Sequence, residues 1–454
     1  MNYLLLAIAL IVGIRGLLQP AGYLHAPTLI ALIFAGWYAP QLIIISSDVF
    51  VPRDALFNLG LMSVFCVLAS LIGWELAIRR QTVAALSNHT ARQELSNSSL
   101  AVSVVALTIF AAAANVLLNQ MRGDVADLTQ WTGPIVIVNF FAQLRIPALA
   151  MSVMLVLRER NTFTISLMAV NMLICLPVAF LLLRRTEMIE IGVAVAGAAW
   201  FARRIRIPLP GIIAAIIAFS IVVYAISPLR ATQKRLEYET GGTVSLLSPM
   251  LWRNIEVTNA VATGTGSAYD IRNATYIVQY IEDTGDHSYA GGLWNTFVRQ
   301  YVPRQFVGDG VKRDLMVGSG RINIEYLASQ YSFFYQTGTT PTGPGAAYRD
   351  FWYFGAFVFM LICYLLGTLY MKGLRRGFFW QTAYLSMLPF ALTGVTHGYE
   401  RLFVNLPLYA ATIWGLYMLA RWSNARHIQQ HRRFANVTAR QERLRRNRAL
   451  KPGL

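Results

Sequence analysis

The sequence predicts an all-α polytopic membrane protein, and its composition and apolar pattern are the basis for this fold class. Of its 454 residues, 56% are hydrophobic and only 13% are charged. A soluble domain would have about 25% charged residues. The apolar residues form runs that approach the roughly 20 residues needed to cross a bilayer. These features exclude a disordered chain, a nucleic-acid-binding module and an ordinary cytosolic enzyme.

The apolar runs predict about eleven transmembrane helices, or about 10–12 because one run is short. They lie at 2–18, 27–46, 55–78, 98–119, 134–157, 162–183, 187–202, 209–227, 350–371, 379–397 and 402–421. The first run has no basic segment before it and no cleavage pattern after it, so we expect a retained helix rather than a signal peptide.

A long polar stretch interrupts these runs and gives the predicted domain organisation. We expect an N-terminal bundle of about eight helices at 1–227, a large loop at 228–349, about three helices at 350–421 and a basic tail at 422–454. Loops of this length on a rigid scaffold are usually functional. Helical spacing of apolar residues at 269–283 and 292–301 predicts that the loop is partly helical.

Basic residues concentrate in alternate loops and in the tail, which predicts the orientation of the chain. The net charge is +17. By the positive-inside rule the tail is cytoplasmic and the large loop faces outward. The tail has the composition of a segment that touches anionic membrane lipid, and we favour this interpretation over nucleic-acid binding.

Motifs for common cofactors are absent from the sequence. It contains no Walker loop, no dinucleotide-binding glycine pattern, no nucleophile elbow and no Cys/His metal cluster. The acidic residues Glu282, Asp283 and Asp286 could gather a calcium ion, but we favour an exposed acidic turn. We therefore expect chemistry that needs no metal, nucleotide or redox cofactor.

Cations interleaved with aromatic residues are the main chemical signal of the large loop. Guanidinium groups bind phosphates through paired hydrogen bonds, and aromatic faces pack against sugar rings or apolar chains. This combination suits a phosphorylated, glycosylated lipid, although each arginine could instead form an ordinary salt bridge. The cations are Arg253, Arg272, Arg299, Arg304, Lys312, Arg313 and Arg321.

Ionisable residues also occur within or beside the predicted membrane helices. Arg145 lies about twelve residues into the fifth run, where an ionised side chain costs roughly 2.5–3.5 kcal/mol. It should face a cavity, unless it pairs with a helix-end carbonyl or reaches an interface. His397, Glu400 and Arg401 lie at the outer end of the tenth run. They could close a polar site beneath the loop or form an interfacial cluster.

Two segments of the outer loop resemble a known family. These are HSYAGGLWNTFVRQYVPRQFVGDGVKRDL at 287–315 and AYRDFWYFGAF at 347–357. They resemble the outer loop of the Wzy family, the bacterial oligosaccharide repeat-unit polymerases of O-antigen and exopolysaccharide synthesis. The matching positions are Gly291 or Gly292, Pro303, Arg304, Lys312, Tyr348, Phe354 and Gly355. In two departures, Arg313 replaces the proline after Lys312, and Ala346 and Ala347 replace the acidic residue before Tyr348.

The resemblance implies a GT-C-like membrane glycosyltransferase of the bacterial inner membrane, with its large loop in the periplasm. Its donor and acceptor would be glycans on undecaprenyl pyrophosphate, its other partners would be membrane lipid and a chain-length regulator, and no nucleic acid would bind. The expected catalytic residues are Arg304, Arg145, Glu325, His397 and Glu400. The expected substrate-binding residues are Arg272, Arg299, Lys312, Arg321, Tyr348 and Arg401. The base would be Glu325, His397 or Glu400.

Three other functions remain open from the sequence. An O-antigen ligase would use the same lipid donor but transfer the finished glycan to lipid A core. A flippase for lipid-linked sugars would show broken polar helices in both halves and short loops on both sides. A non-catalytic scaffold would tolerate loss of every candidate arginine.

Overall fold

A computed structural model describes the chain except for residues 88–94, 124–133, 181–184, 213, 215–228, 230, 231, 234, 241–247, 254–267, 303, 319–321, 336–339 and 450–454. The described part is nearly all helical and has no β-strand. Within it, seven helices or joined helices are long and apolar enough to cross a membrane. They are Ala26–Ile45, Arg53–Thr82, Asn97–Met121, Ile137–Arg158, Thr162–Ala179, Gly343–Arg376 and Glu400–Arg426. The fold is an all-α polytopic membrane protein.

The N-terminal helices follow the predicted apolar runs closely. They are α1 (Asn2–Leu17), α2 (Ala26–Ile33), α3 (Ala39–Ile45), α4 (Arg53–Ser87), α5 (Asn97–Gly123), α6 (Pro134–Gln143), α7 (Arg145–Arg158), α8 (Thr162–Phe180) and α9 (Arg185–Arg203). A π-helical turn, Phe34–Tyr38, joins α2 to α3. The predicted runs 2–18, 187–202 and 379–397 form helices that are not among the seven candidate spans. The run 209–227 lies largely outside the described residues, so the total of about eleven spans stays a prediction.

Short helices fill the described part of the large loop, and long helices follow it. They are α10 (Pro249–Arg253), α11 (Tyr269–Thr284), α12 (Gly291–Tyr301), α13 (Arg304–Asp314), α14 (Ile324–Tyr331), α15 (Gly343–Phe351), α16 (Ala356–Arg376), α17 (Phe378–Thr396) and α18 (Glu400–Ala449). The helical spacing read at 269–283 and 292–301 is confirmed by α11 and α12.

Helix α15 is a nine-residue helix buried from Gly343 to Asp350. It packs between the loop helix α11 and the bundle helix α4. Its start needs small residues, because a Cβ at Gly343 would lie 2.3 Å from the carbonyl oxygen of Gly394. Asp350, near its end, lies at the boundary between the loop helices and the membrane bundle.

Small residues let α4 and α16 pack with their backbones close together. A Cβ added at Gly73 would lie 2.0 Å from the carbonyl oxygen of Met360, and one at Gly367 would lie 2.8 Å from the Cβ of Ala77. Lipid tails are as apolar as leucine, so membrane helices associate mainly through such close packing. This helix pair forms the centre of the described bundle.

We expect Gly73→Ala to destabilise the fold, because the added methyl group must displace the backbone of α16. Overpacking of this kind typically costs about 1–3 kcal/mol. The measurement is thermal unfolding of the purified protein in detergent. Gly192→Ala in α9 is the matched control, since no atom lies within 4 Å of its added Cβ. Equal unfolding midpoints for the two variants would contradict the close approach of α4 and α16.

Candidate functional site

The carboxylate of Asp350 organises a buried polar cluster at the end of the bundle next to the loop helices. Its side chain is fully buried. It accepts hydrogen bonds from Arg349 Nε at 2.8 Å, from the Ser288 hydroxyl and from the Tyr399 hydroxyl. Arg349 Nη2 also contacts Glu400 Oε1 at 3.2 Å. We call Ser288, Arg349, Asp350, Tyr399 and Glu400 the outer cluster.

The turn before α12 fits tightly around the end of α15. The backbone N–H groups of Ser288 and Tyr289 donate to the carbonyls of Arg349 and Asp350, both at 3.2 Å. Tyr289 then turns the chain into α12 with a left-handed φ of 46°. A Cβ on Gly292 would lie 2.4 Å from Arg349 Nη2. Glycine at this position therefore lets the first turn of α12 close onto the guanidinium group.

The connection between α17 and α18 supplies the other side of the outer cluster. Gly398 has a φ of 154°, and a Cβ there would lie 2.4 Å from Glu400 Oε2. His397 Nδ1 lies 2.7 Å from the Thr396 hydroxyl oxygen. Burial, followed by the nearby Arg401, lowers the pKa of His397 to about 4. The imidazole is therefore neutral near pH 7 and able to accept a proton.

A second group of charged residues is buried among α5, α7 and α9. Arg145 is 3% exposed and forms an ion pair with Glu187. Its Nη1 donates to the carbonyl of Ala142 at 2.8 Å and to Asn115 Oδ1 at 3.4 Å. The carbonyl is available because the helix is interrupted at Leu144, between α6 and α7. Arg145 is thus paired with an acid and also bound by a helix-end carbonyl.

A narrow cleft with a cavity volume of only about 10 Å³ lies beside this buried ion pair. Glu190, one turn after Glu187 on α9, lines it together with Gln143, Ser386 and Tyr409. Glu190 interacts electrostatically with Glu187, Arg145 and Arg401. Arg401 in turn interacts with its neighbour Glu400. Charged side chains therefore extend from the outer cluster to the cleft. We call Arg145, Glu187 and Glu190 the inner cluster.

Three of the predicted phosphate-binding cations lie on or near the outer surface of the loop helices. Arg304 is exposed and pairs with Asp309 at 2.5 Å. Arg299 is exposed, and its carbonyl oxygen accepts a hydrogen bond from Lys312 Nζ at 3.0 Å, which ties α13 to the end of α12.

The other predicted residues of the loop have different environments. Arg272 on α11 forms an ion pair with Asp48, before α4. Glu325 is exposed in the first turn of α14. Arg321 lies outside the described residues. The structure therefore brings Glu400 and Arg401 together and links them to Arg145 through Glu190, whereas Arg272, Arg304 and Glu325 have partners or surroundings elsewhere.

Tyr348 is buried, and its hydroxyl is part of a separate polar network. It donates to Glu282 Oε1 at 3.1 Å and accepts from Trp352 Nε1 at 2.9 Å. The same carboxylate accepts a hydrogen bond from Asn58. The neighbouring Asp283 accepts from the hydroxyl groups of Tyr326 and Tyr331. The acidic turn thus uses its carboxylates to hold helices together, and the described residues contain no group of three or more metal-ligating side chains.

Sequence reasoning missed Ser288, Arg349 and Asp350 as members of one cluster, and it missed both acids of the inner cluster. A signal was present for Asp350, because an Arg–Asp pair stands directly before an apolar helix. The family pattern drew attention to the missing acid before Tyr348, whereas the acid of this chain follows Tyr348 by two residues. Glu187 and Glu190 are spaced for one helix face, and this spacing inside an apolar run was the available signal.

No protein-family model, curated protein or solved structure matches this chain.

We expect Arg145→Leu to destabilise the protein strongly, because it leaves Glu187 buried without its guanidinium partner. Removing one member of a buried ion pair typically costs about 3–5 kcal/mol. Arg235→Leu is the control, since Arg235 and Glu239 form an exposed pair at 3.7 Å. Such helix pairs contribute about 0.3–0.5 kcal/mol. Unfolding midpoints in detergent measure both effects, and a midpoint for Arg145→Leu equal to that of Arg235→Leu would contradict the buried pair.

His397 should make the stability of the protein depend on pH. Its pKa falls from 6.5 to about 4 on folding. Between these two pH values the unfolded state binds more protons than the folded state. The contribution of the neutral imidazole to the free energy of unfolding is therefore complete above about pH 6.5 and is lost as the pH falls towards about 4. We expect His397→Gln to have a flatter profile of unfolding temperature against pH in this window. Parallel profiles for wild type and variant would show that the imidazole is not buried as described.

Proposed function

We propose that the protein is a membrane glycosyltransferase that polymerises oligosaccharide repeat units linked to undecaprenyl pyrophosphate. In this proposal the chain has about eleven membrane helices in a GT-C-like arrangement. The large loop is periplasmic, the tail is cytoplasmic, and the membrane is the bacterial inner membrane. The product is O-antigen or exopolysaccharide.

The observation that supports this proposal most strongly is the convergence of three distant segments in the outer cluster. Ser288 belongs to the first segment that resembles the polymerase family, and Asp350 belongs to the second. Glu400, chosen from the sequence as a candidate base, joins them through Arg349. Segments separated by about 50–60 residues thus meet at one buried charged site below the external helices. Such a site supports a function, whereas a fold alone does not define a function.

The proposed reaction matches the chemistry available at this site. A hydroxyl of the acceptor's terminal sugar attacks the anomeric carbon of the donor glycan. The bond from that carbon to the pyrophosphate oxygen breaks, and the lipid pyrophosphate leaves with the electron pair. The acceptor proton passes to a protein base, which must lie within hydrogen-bond reach of the hydroxyl. The donor already has an activated leaving group, so the step needs no nucleotide.

Glu400 and His397 are the best-placed of the predicted bases, because both lie in the connection between α17 and α18. Arg349 Nη2 contacts the Glu400 carboxylate at 3.2 Å and fixes its direction. His397 is neutral near pH 7 and can also accept a proton. Glu325, by contrast, is exposed on α14 and contacts neither residue in the described structure.

The cations divide into those already neutralised and those available to phosphate. Arg349 is enclosed by Asp350 and Glu400, and Arg145 is paired with Glu187. These pairings favour a positioning role for Arg349 and Arg145. Arg299, Arg304 and Arg401 are exposed, so their guanidinium groups can reach a pyrophosphate. Arg304 would exchange its exposed pair with Asp309 for the phosphate, and such surface pairs contribute little to stability. Losing one such donor typically costs about 3–4 kcal/mol of transition-state stabilisation.

We expect Glu400→Gln and Arg304→Ala to abolish long glycans when either variant replaces the wild type in cells lacking the protein. Loss of a base typically reduces the rate by about 10²–10⁴-fold. Gel and mass-spectrometric profiles of lipid-linked glycans would then show single repeats on undecaprenyl pyrophosphate instead of a ladder. Glu239→Gln, which removes an exposed paired carboxylate, is the matched control and should keep the ladder.

Other profiles would contradict the proposal in distinct ways. In cells without the protein, a full-length ladder retained on the carrier lipid would identify a ligase. Repeats trapped on the cytoplasmic face would identify a flippase. An unchanged ladder in both Arg304→Ala and Arg145→Ala, at equal protein levels, would show that these arginines do not serve the reaction.

A further inference from the structure

Helices α12 and α13 of the loop form a hairpin that is joined to the first turns of α18. The Tyr301 hydroxyl, at the end of α12, donates to the carbonyl oxygen of Val404, and α12 packs against α18. Val404 is four residues, or about 6 Å, from the start of the apolar span Glu400–Arg426. The headgroup layer on each side of a bilayer core is about 5–8 Å thick. The hairpin therefore meets the bundle at the level of the lipid headgroups.

Hydrogen bonds fix the end of α13 against α12. Trp294 Nε1 donates to the carbonyl oxygen of Leu315 at 2.7 Å. Asn295 exchanges two bonds with Val317, from its Nδ2 to the Val317 carbonyl at 2.9 Å and from the Val317 N–H to its Oδ1 at 2.8 Å. The orientation of α13 is therefore set by α12, and its exposed side chains cannot turn inward without breaking these bonds.

Large apolar side chains are uncovered along α13. Phe306 is 87% exposed, Val311 is 52% exposed and Leu315 is 41% exposed. The Leu315 N–H donates to the Val311 carbonyl at 3.0 Å, which continues the helical turn, so these two side chains share one side of the helix. Arg313 lies about 200° from each of them around the helix axis. An apolar side opposite a cationic side is typical of a helix that lies in a membrane interface.

The position and charge of the hairpin favour membrane lipid as the partner of this apolar side. Exposed apolar patches on proteins mark contacts with other proteins or with membranes. Because the hairpin already meets α18 at the headgroup level, lipid is within reach of these side chains. Residues 299–315 contain four cations and two acids, and this positive excess complements the phosphates of the headgroup layer.

We propose that α13 is an interfacial element that binds the bilayer surface on the loop side of the bundle. Phe306, Val311 and Leu315 contact the outer part of the acyl chains, and Arg313 faces the phosphates and water. This position holds Arg304, two residues before Phe306, at the level of the lipid phosphates. The inference rests on packing, exposure and charge, and it is independent of the proposed polymerase function.

Site-directed spin labelling of the full-length protein in phospholipid nanodiscs tests this position. Phe306→Cys, Val311→Cys and Arg313→Cys each introduce one exposed cysteine, whereas the three native cysteines are buried. Collisions of the label with oxygen, which concentrates among acyl chains, are compared with collisions with a water-soluble nickel chelate. We expect the ratio of oxygen to nickel collisions to be severalfold higher at positions 306 and 311 than at position 313, which is the matched control on the opposite side of α13.

Two results would overturn the proposal. Equal ratios at positions 311 and 313, with frequent nickel collisions at both, would place α13 in water. Rare collisions with both reagents at positions 306 and 311 would show that protein covers these side chains, either a partner or a second copy of this chain. The labelled wild type gives the background from the native cysteines, and unfolding midpoints equal to that of the wild type verify that the three variants are folded.

Discussion

The requirement that every buried charge has a partner shapes the region where the loop helices meet the bundle. Asp350 is enclosed in protein, and a carboxylate cannot stay charged there without compensation. Arg349, Ser288 and Tyr399 supply that compensation from three parts of the chain. The position of α15, the turn before α12 and the connection into α18 all depend on this one carboxylate. Glycine is needed at positions 292 and 398 for the same reason, because it lets the backbone approach the charged groups.

Irregular backbone accompanies the charged residues inside the membrane bundle. The helix is interrupted before Arg145, and the freed carbonyl of Ala142 accepts a hydrogen bond from the guanidinium group. The π-helical turn at Phe34–Tyr38 places Tyr38 where its hydroxyl meets that of Thr342, the residue before α15. Irregular backbone at membrane depth is tolerated only where protein or a cavity covers it. In this chain such points lie beside the inner cluster and beside α15.

The fold was largely predictable because apolar runs have a local signature. The run 27–46 corresponds to Ala26–Ile45, and the run 162–183 contains Thr162–Phe180. The break between α6 and α7 has a signal in the sequence, although 134–157 was predicted as one run: Pro147 has no N–H to donate to the Gln143 carbonyl, and its ring crowds that carbonyl. The site was predicted in part. Arg145 and Glu400 stood out as ionisable residues beside apolar runs, but their partners Glu187 and Arg349 are 42 and 51 residues away. Pairing at such distances leaves no pattern in a single sequence.

The last helix has a mechanical consequence. Helix α18 has 50 residues, and its apolar part ends at Arg426. Residues 427–449 continue as helix for about 35 Å, a length comparable to the thickness of the bilayer core. Because the apolar part of α18 packs against α5 and α17, this extension is continuous with a helix held in the bundle. A small change in the tilt of α18 within the bundle would therefore be amplified at the far end of the extension.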